Sequence, residues 1–211
     1  IWGSAFFAIK VGLNSFSPIG VASLRLIIAS IFLLLLFYLQ KKQISLTKEI
    51  LFLLIIIGII GNFIPFFLIS WAEQYIPSST AGMLMAIGPI ITLIMSHFIT
   101  KNEKFTLMKL VSISVGLLGV FFIFNINSLD NLLIISSVDI IAKLLVIMAA
   151  FGYMFSNIIA YEKLNHVDSF SITTFATTFG AIFSLPFFIY DININSIGYS
   201  FNYNAVYAII Y

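Results

Sequence analysis

Long apolar runs separated by short polar joints set the pattern of this chain. The runs fall at 1–13, 19–39, 50–71, 79–98, 107–124, 140–160 and 172–190, and a further one begins at 205. A helix that crosses a hydrocarbon layer needs about 20 apolar residues, so the complete runs predict one spanning helix each. A transmembrane barrel would alternate apolar and polar residues in segments of about ten. The unbroken stretch from Ile31 to Phe37 has no such alternation. Joints such as Asn14-Ser15-Phe16-Ser17-Pro18 are too short to hold a soluble domain. The pattern therefore predicts an all-α, polytopic transmembrane helix bundle. With a shortened first run and a last run barely begun, it reads as part of a longer protein.

Composition agrees with this solvent assignment and narrows the chemistry. Of 211 residues, 61% are hydrophobic and 9% charged, with a mean hydropathy of +1.13. Soluble domains carry about 25% charged residues, so this chain cannot wet a globular surface. Soluble enzymes, nucleic-acid binders and disordered chains are excluded together. The absence of cysteine removes disulfide scaffolds, thiolate metal sites and cysteine nucleophiles. His97 and His166 lie at a helix end and in a joint, with no HExxH pair, phosphate loop or acidic pair at mid-depth. No catalytic residue, metal or cofactor is expected.

The few charges orient the bundle. Lys41, Lys42 and Lys48 follow the second run, Lys101, Lys104 and Lys109 the fourth, and Lys163 the sixth. The joints after the third, fifth and seventh runs hold no Lys or Arg. Cytoplasmic joints carry the excess of basic residues, so the expected topology is a multi-pass protein of the inner (plasma) membrane with a cytoplasmic amino terminus. Glu73, Asp130, Asp139 and Asp191 fall mainly on the opposite side.

Lys143 lies just inside the start of the sixth run, at an interface, which leaves Lys10 and Arg25 unexplained. Both lie within apolar runs without an acidic partner on the same run, and a cation there costs a few kcal/mol. Lys10 has two open readings, snorkelling to the interface or lining a pathway. Arg25 is deeper and is expected to face the interior, toward carbonyls, Glu73 or an anionic group on a substrate. Gly58, Gly61, Asn62 and Pro65 interrupt the third run, and Gly88-Pro89 the fourth, each near mid-depth. Paired breaks of this kind mark a transport site, so Lys10, Arg25, Asn62, Pro65, Gly88 and Pro89 form the candidate substrate pathway. Gly152, Ser156 and Ala160, the stripe Thr173, Thr177, Ala181 and Ser184, and Gly116 with Gly119 read as helix-packing surfaces.

The opening Trp2-Gly3-Ser4-Ala5-Phe6-Phe7-Ala8-Ile9-Lys10, followed by Ser17-Pro18 and Arg25, resembles the first helix of the EamA family of the drug/metabolite transporter superfamily. Further matches are Tyr75-Ile76-Pro77-Ser78-Ser79-Thr80-Ala81-Gly82, Gly88-Pro89, and Asn102-Glu103-Lys104-Phe105-Thr106 with Gly116 and Gly119. The resemblance implies ten helices in two inverted repeats of five, of which seven to eight are present here. It divides the chain into a first repeat at 1–124, an extracytoplasmic connection at 125–138 and a partial second repeat at 139–211. Phe151-Gly152 stands in that second repeat where Trp2-Gly3 stands in the first. It further implies a secondary transporter that exports small metabolites such as amino acids by alternating access, and no enzyme. Its partners would be a small-molecule metabolite and the lipid bilayer, with no nucleic acid and with a homo-oligomer left open. A membrane-embedded enzyme acting on lipid-linked substrates and a non-transporting assembly protein are the alternatives.

Overall fold

The computed structural model describes residues 2–100, 106–123, 136–195 and 203–210. Lys101, Lys104, the motif at 102–105, Asp130 and most of the 125–138 connection lie outside them. Among the described residues every regular element is helical. The helices are α1 (Trp2–Gly12), α2 (Pro18–Leu39), α3 (Lys48–Ile56), α4 (Ile64–Ala72), α5 (Ser78–Met85), α6 (Gly88–Ile99), α7 (Leu107–Ile123), α8 (Ser137–Lys163), α9 (Ser169–Asn195) and α10 (Tyr203–Ile210). A π-helical segment, Ile57–Phe63, joins α3 to α4 without interrupting the rod. Among the described residues five stretches are long and apolar enough to cross a membrane, Pro18–Leu39, Lys48–Ala72, Ser78–Ile99, Ser137–Lys163 and Ser169–Ile194, while the fifth apolar run gives the shorter apolar helix Leu107–Gly119. The chain is thus a multi-pass membrane protein with an all-α bundle architecture.

Helix starts are written locally. Ser17 accepts a hydrogen bond from the Gly20 N–H and Pro18 occupies the first helical turn, where its missing N–H costs nothing. Thr47 accepts from Ile50 N–H at 3.3 Å, Ser136 from Asp139 N–H at 3.1 Å, and the Asp168 carboxylate from Ser171 N–H at 3.1 Å. Each satisfies a donor that the first turn would otherwise leave open.

The α3–α4 rod sits at the centre, packed by α2, α8 and α9, while α1 lies against α5 and α10. Glycine lets the rod approach its neighbours through the backbone. A Cβ on Gly58 would lie 2.4 Å from the Ala176 carbonyl oxygen and 2.8 Å from Gly180 N on α9. One on Gly61 would lie 2.4 Å from the Ser156 side chain, and one on Gly152 would lie 2.7 Å from the Ile60 carbonyl oxygen. The packing expected of Gly152 and Ser156 is therefore present. Nothing stands within 4 Å of a Cβ on Gly116 or Gly119, so these two, on the exposed α7, pack against no described residue. The hydroxyls of Thr173, Thr174, Thr178 and Ser184 turn back onto carbonyls of their own helix, as α9 continues through Pro186.

Outward faces carry large apolar side chains at helical spacing, such as Leu144, Met148 and Phe151 on α8 and Val111, Val115 and Leu118 on α7. In water such surfaces would be costly; against lipid tails they are matched. The two ends of the bundle are clasped. At one, Lys42 Nζ meets the Asp168 carboxylate at 2.7 Å; at the other, the Ser17 hydroxyl donates to Asp191 at 2.5 Å.

Candidate functional site

A cavity of about 660 Å³ opens where α1, α2, the π segment, α4, α5, α8, α9 and α10 face one another. Its size falls within the ~300–1,000 Å³ of small-molecule sites. Arg25, Asn62, Phe66, Tyr153 and Thr177 supply its polar and aromatic wall, and Phe6, Ile9, Leu26, Phe32, Ile69 and Met85 its apolar one. Arg25 Cζ lies 5.7 Å from the centroid of the Phe66 ring, within cation–π range. Phe66 meets Tyr153 edge-on, with centroids 6.1 Å apart and planes at 82°. One guanidinium nitrogen of Arg25, Nη1, is buried with no hydrogen-bond partner. A buried donor left open costs about 1–3 kcal/mol or more when charged.

Asn62 reaches this wall from within the π segment. A π turn takes in an extra residue per hydrogen-bonded loop and shifts the register of the side chains that follow. Gly58, Gly61, Asn62 and Pro65 read as an interruption of the third run, and the interruption takes the form of this π segment. The structure keeps the rod continuous and uses the two glycines for helix contact, while Pro65 is buried beside Gly152. Pro65 contributes to a helix interface rather than to the cavity wall.

Gly88 and Pro89 line a second, neighbouring cavity of about 880 Å³, with Thr92, Ser96, Lys109 and Ser112. Phe6 and Met85 form part of both walls. The fourth apolar run is discontinuous: α5 stops at Met85 and α6 starts at Gly88. Across the break Ile87 N–H bonds to the Leu84 carbonyl at 3.2 Å and Ile90 N–H to the Ile87 carbonyl at 3.0 Å, three-residue contacts that tighten the chain. The Thr92 hydroxyl donates to the Gly88 carbonyl of its own helix at 3.0 Å.

Lys10 lines neither cavity. Its ammonium donates to the backbone carbonyls of Glu73 and, at 3.4 Å, Ile76. It pins the turn between α4 and α5 against α1. Glu73 itself is fully buried. Burial pushes its carboxyl up to about 8, against the opposing pull of Lys10, then Arg25, then Ser78. The residues in the candidate pathway therefore separate into Arg25 and Asn62 on one wall, Gly88 and Pro89 on another, and Lys10 and Pro65 in the framework. Phe66, Tyr153 and Thr177 share the first wall and were not singled out by pattern as ligand contacts; Tyr153 carried a signal, being a phenol within the sixth apolar run next to Gly152.

The EamA-like transporter family profile matches residues 1–125. An uncharacterized transporter, YoaV of Bacillus subtilis, is 27% identical over 212 residues, covering all of this chain and 70% of that protein. YetK of the same organism, also an uncharacterized transporter, is 30% identical over 82% of this chain and 52% of its own length. An uncharacterized transporter of Archaeoglobus fulgidus is 30% identical over 88% of this chain and 63% of its own length. The chain thus spans between about half and 70% of the relatives it matches. No solved structure gives a significant match.

Proposed function

Because the chain belongs to the EamA-like transporter family, we propose that it is the larger part of a secondary transporter that exports small amphipathic metabolites, such as amino acids, by alternating access. The observation that carries this reading is the cavity lined together by Arg25, whose guanidinium lies over Phe66 and keeps one nitrogen without a partner, and by Asn62 and Tyr153. A guanidinium suits a carboxylate or other planar anion, an amide adds a directional donor and acceptor, and two aromatic rings suit an apolar body. An amphipathic anion satisfies all three.

The cavity draws on α1, α2, the π segment, α4 and α5 and on α8 to α10, which fits a site shared by a first repeat at 1–124 and a partial second repeat at 139–211. The break at Gly88-Pro89 and the π segment beside Pro65 supply irregular backbone on two walls, and Lys10 anchors the adjoining turn. The lysine distribution supports an inner-membrane location with a cytoplasmic amino terminus.

The test is flux of radiolabelled amino acids from loaded vesicles containing the full-length protein. Arg25→Ala removes a charge-assisted contact of about 1.5–3 kcal/mol and is expected to cut flux by about ten- to a hundredfold. Asn62→Ala, losing a neutral contact, is expected to cost about tenfold or less. Unchanged flux in Arg25→Ala would overturn the proposed site.

A further inference from the structure

Glu73 has 0% exposure, in the turn between α4 and α5, and the only side-chain hydrogen-bonding help its carboxylate draws is from Ser78. An ion so placed is costly unless its charge is compensated. Three other elements bring compensating groups. From α1, the Lys10 ammonium holds the carbonyls of Glu73 and Ile76; from α2, Arg25 acts on the carboxylate through space; from α5, Ser78 lies beside it. Tyr153 of α8 is coupled to the same guanidinium. Asp139 and Lys143 of α8 are paired with each other at 2.6 Å. Ile69, one turn before Glu73, and Ile9, next to Lys10, line the Arg25 cavity. Glu73 therefore sits directly behind the cavity wall, and one guanidinium serves both sides of it.

An anion entering beside Arg25 would compete with ionised Glu73 for the same positive charge and repel it. Like charges sharing a site raise proton affinity, and linkage makes the effect reciprocal. Resting on the reading of Arg25 as the anion-binding group, we infer that Glu73 is a proton-carrying site: its carboxylate takes a proton from bulk water when an anion occupies the cavity and returns it when the anion leaves. One O–H bond forms on Glu73 as one in hydronium breaks, and no electrons move. Anion and proton then load together as a neutral pair. With the Glu73 carboxyl at about 8, both of its states are populated close to physiological pH. The sign follows: below about pH 8 the carboxyl is neutral and Arg25 is free for the ligand, and above it the carboxylate competes.

The experiment uses the full-length protein in detergent with benzoate as an anionic aromatic probe. Wild-type affinity for benzoate, followed by tryptophan fluorescence or calorimetry, is expected to be flat below about pH 8. It should weaken about tenfold per pH unit above that, as required when binding needs one proton. In weak buffer with a pH dye, benzoate added at about pH 9 should draw close to one proton per protein, and Glu73→Gln should draw none while binding benzoate independently of pH. A flat wild-type profile overturns the inference without any variant, as does equal proton uptake by Glu73→Gln or no benzoate binding at any pH. Vesicle flux separates the two readings. Proton-linked benzoate binding without amino-acid flux sinks the transporter assignment alone, and flux without proton uptake sinks the Glu73 site alone.

Discussion

Gly58 has no room for a methyl group. The two nearest atoms to a Cβ there are backbone atoms of Ala176 and Gly180, at 2.4 and 2.8 Å, and backbone in a packed helix cannot swing aside as a side-chain tip can. Gly58→Ala is expected to lower stability by about 1–3 kcal/mol, the range for overpacking. Gly116→Ala, with nothing within 4 Å of the new carbon, is expected to leave stability unchanged or raise it by up to about 1 kcal/mol through helix propensity. Thermal unfolding midpoints of the two variants in one detergent check both signs. The same contrast marks what could be read from residues alone. A glycine in an apolar run signals close approach or nothing, and only the neighbouring helix decides which. Arg25 and Asn62 were legible because a charge and an amide are conspicuous among aliphatic side chains. Phe66 was not, because aromatic residues make up 16% of the chain and the direction each faces is a tertiary matter. Glu73 read as an acidic residue on the side opposite the lysines and as one possible partner of Arg25; its full burial was not legible, because it depends on Lys10 drawing the turn into the protein.

At the scale of elements, the junction of α8 and α9 depends on Asp168. Its carboxylate meets Lys42 at 2.7 Å and accepts from Ser171 N–H and Oγ at 3.1 and 3.2 Å. The Lys42 hydrogen bond, then those from Ser171, hold its carboxyl below the usual carboxylate value. A depressed carboxyl contributes stability above its unfolded value, about 3.9, and loses it as pH falls through the folded value. Asp168→Asn keeps a capping oxygen and loses the ion pair; Asp168→Ala loses both. The expected order of unfolding temperature at neutral pH is wild type, Asn, Ala, with the wild-type advantage over Asn vanishing in acid below the ordinary carboxylate range. A thermal-melt series against pH measures it. Element existence was legible throughout, since each complete apolar run matches helical structure. The form of the interruptions was not: proline and glycine predict that a helix departs from regularity, yet they say nothing of whether it tightens, as at 86–87, or widens, as at Ile57–Phe63.

For the whole molecule, orientation is the property most directly exposed to test. The 211 residues contain no cysteine, so within them a single introduced thiol reacts without background. Gln43 and Gln74 are both exposed and lie at opposite ends of the α3–α4 rod. With a cytoplasmic amino terminus, a membrane-impermeant maleimide added to intact cells is expected to label Gln74→Cys, and Gln43→Cys only after permeabilisation. The reverse pattern would invert the topology. The contact between Gly58 and Gly180 carries one more consequence at this scale. Helices that meet through interdigitated side chains must unlock before they can tilt, but these two touch backbone to backbone, so a tilt of the rod would turn on a bearing of glycine backbone there. The bearing lies about 15 Å from one end of the rod and about 21 Å from the other, at 1.5 Å per residue. A tilt of about 10° would therefore sweep each tip through roughly 3 Å, about the width of a water molecule, while the fulcrum stays almost still.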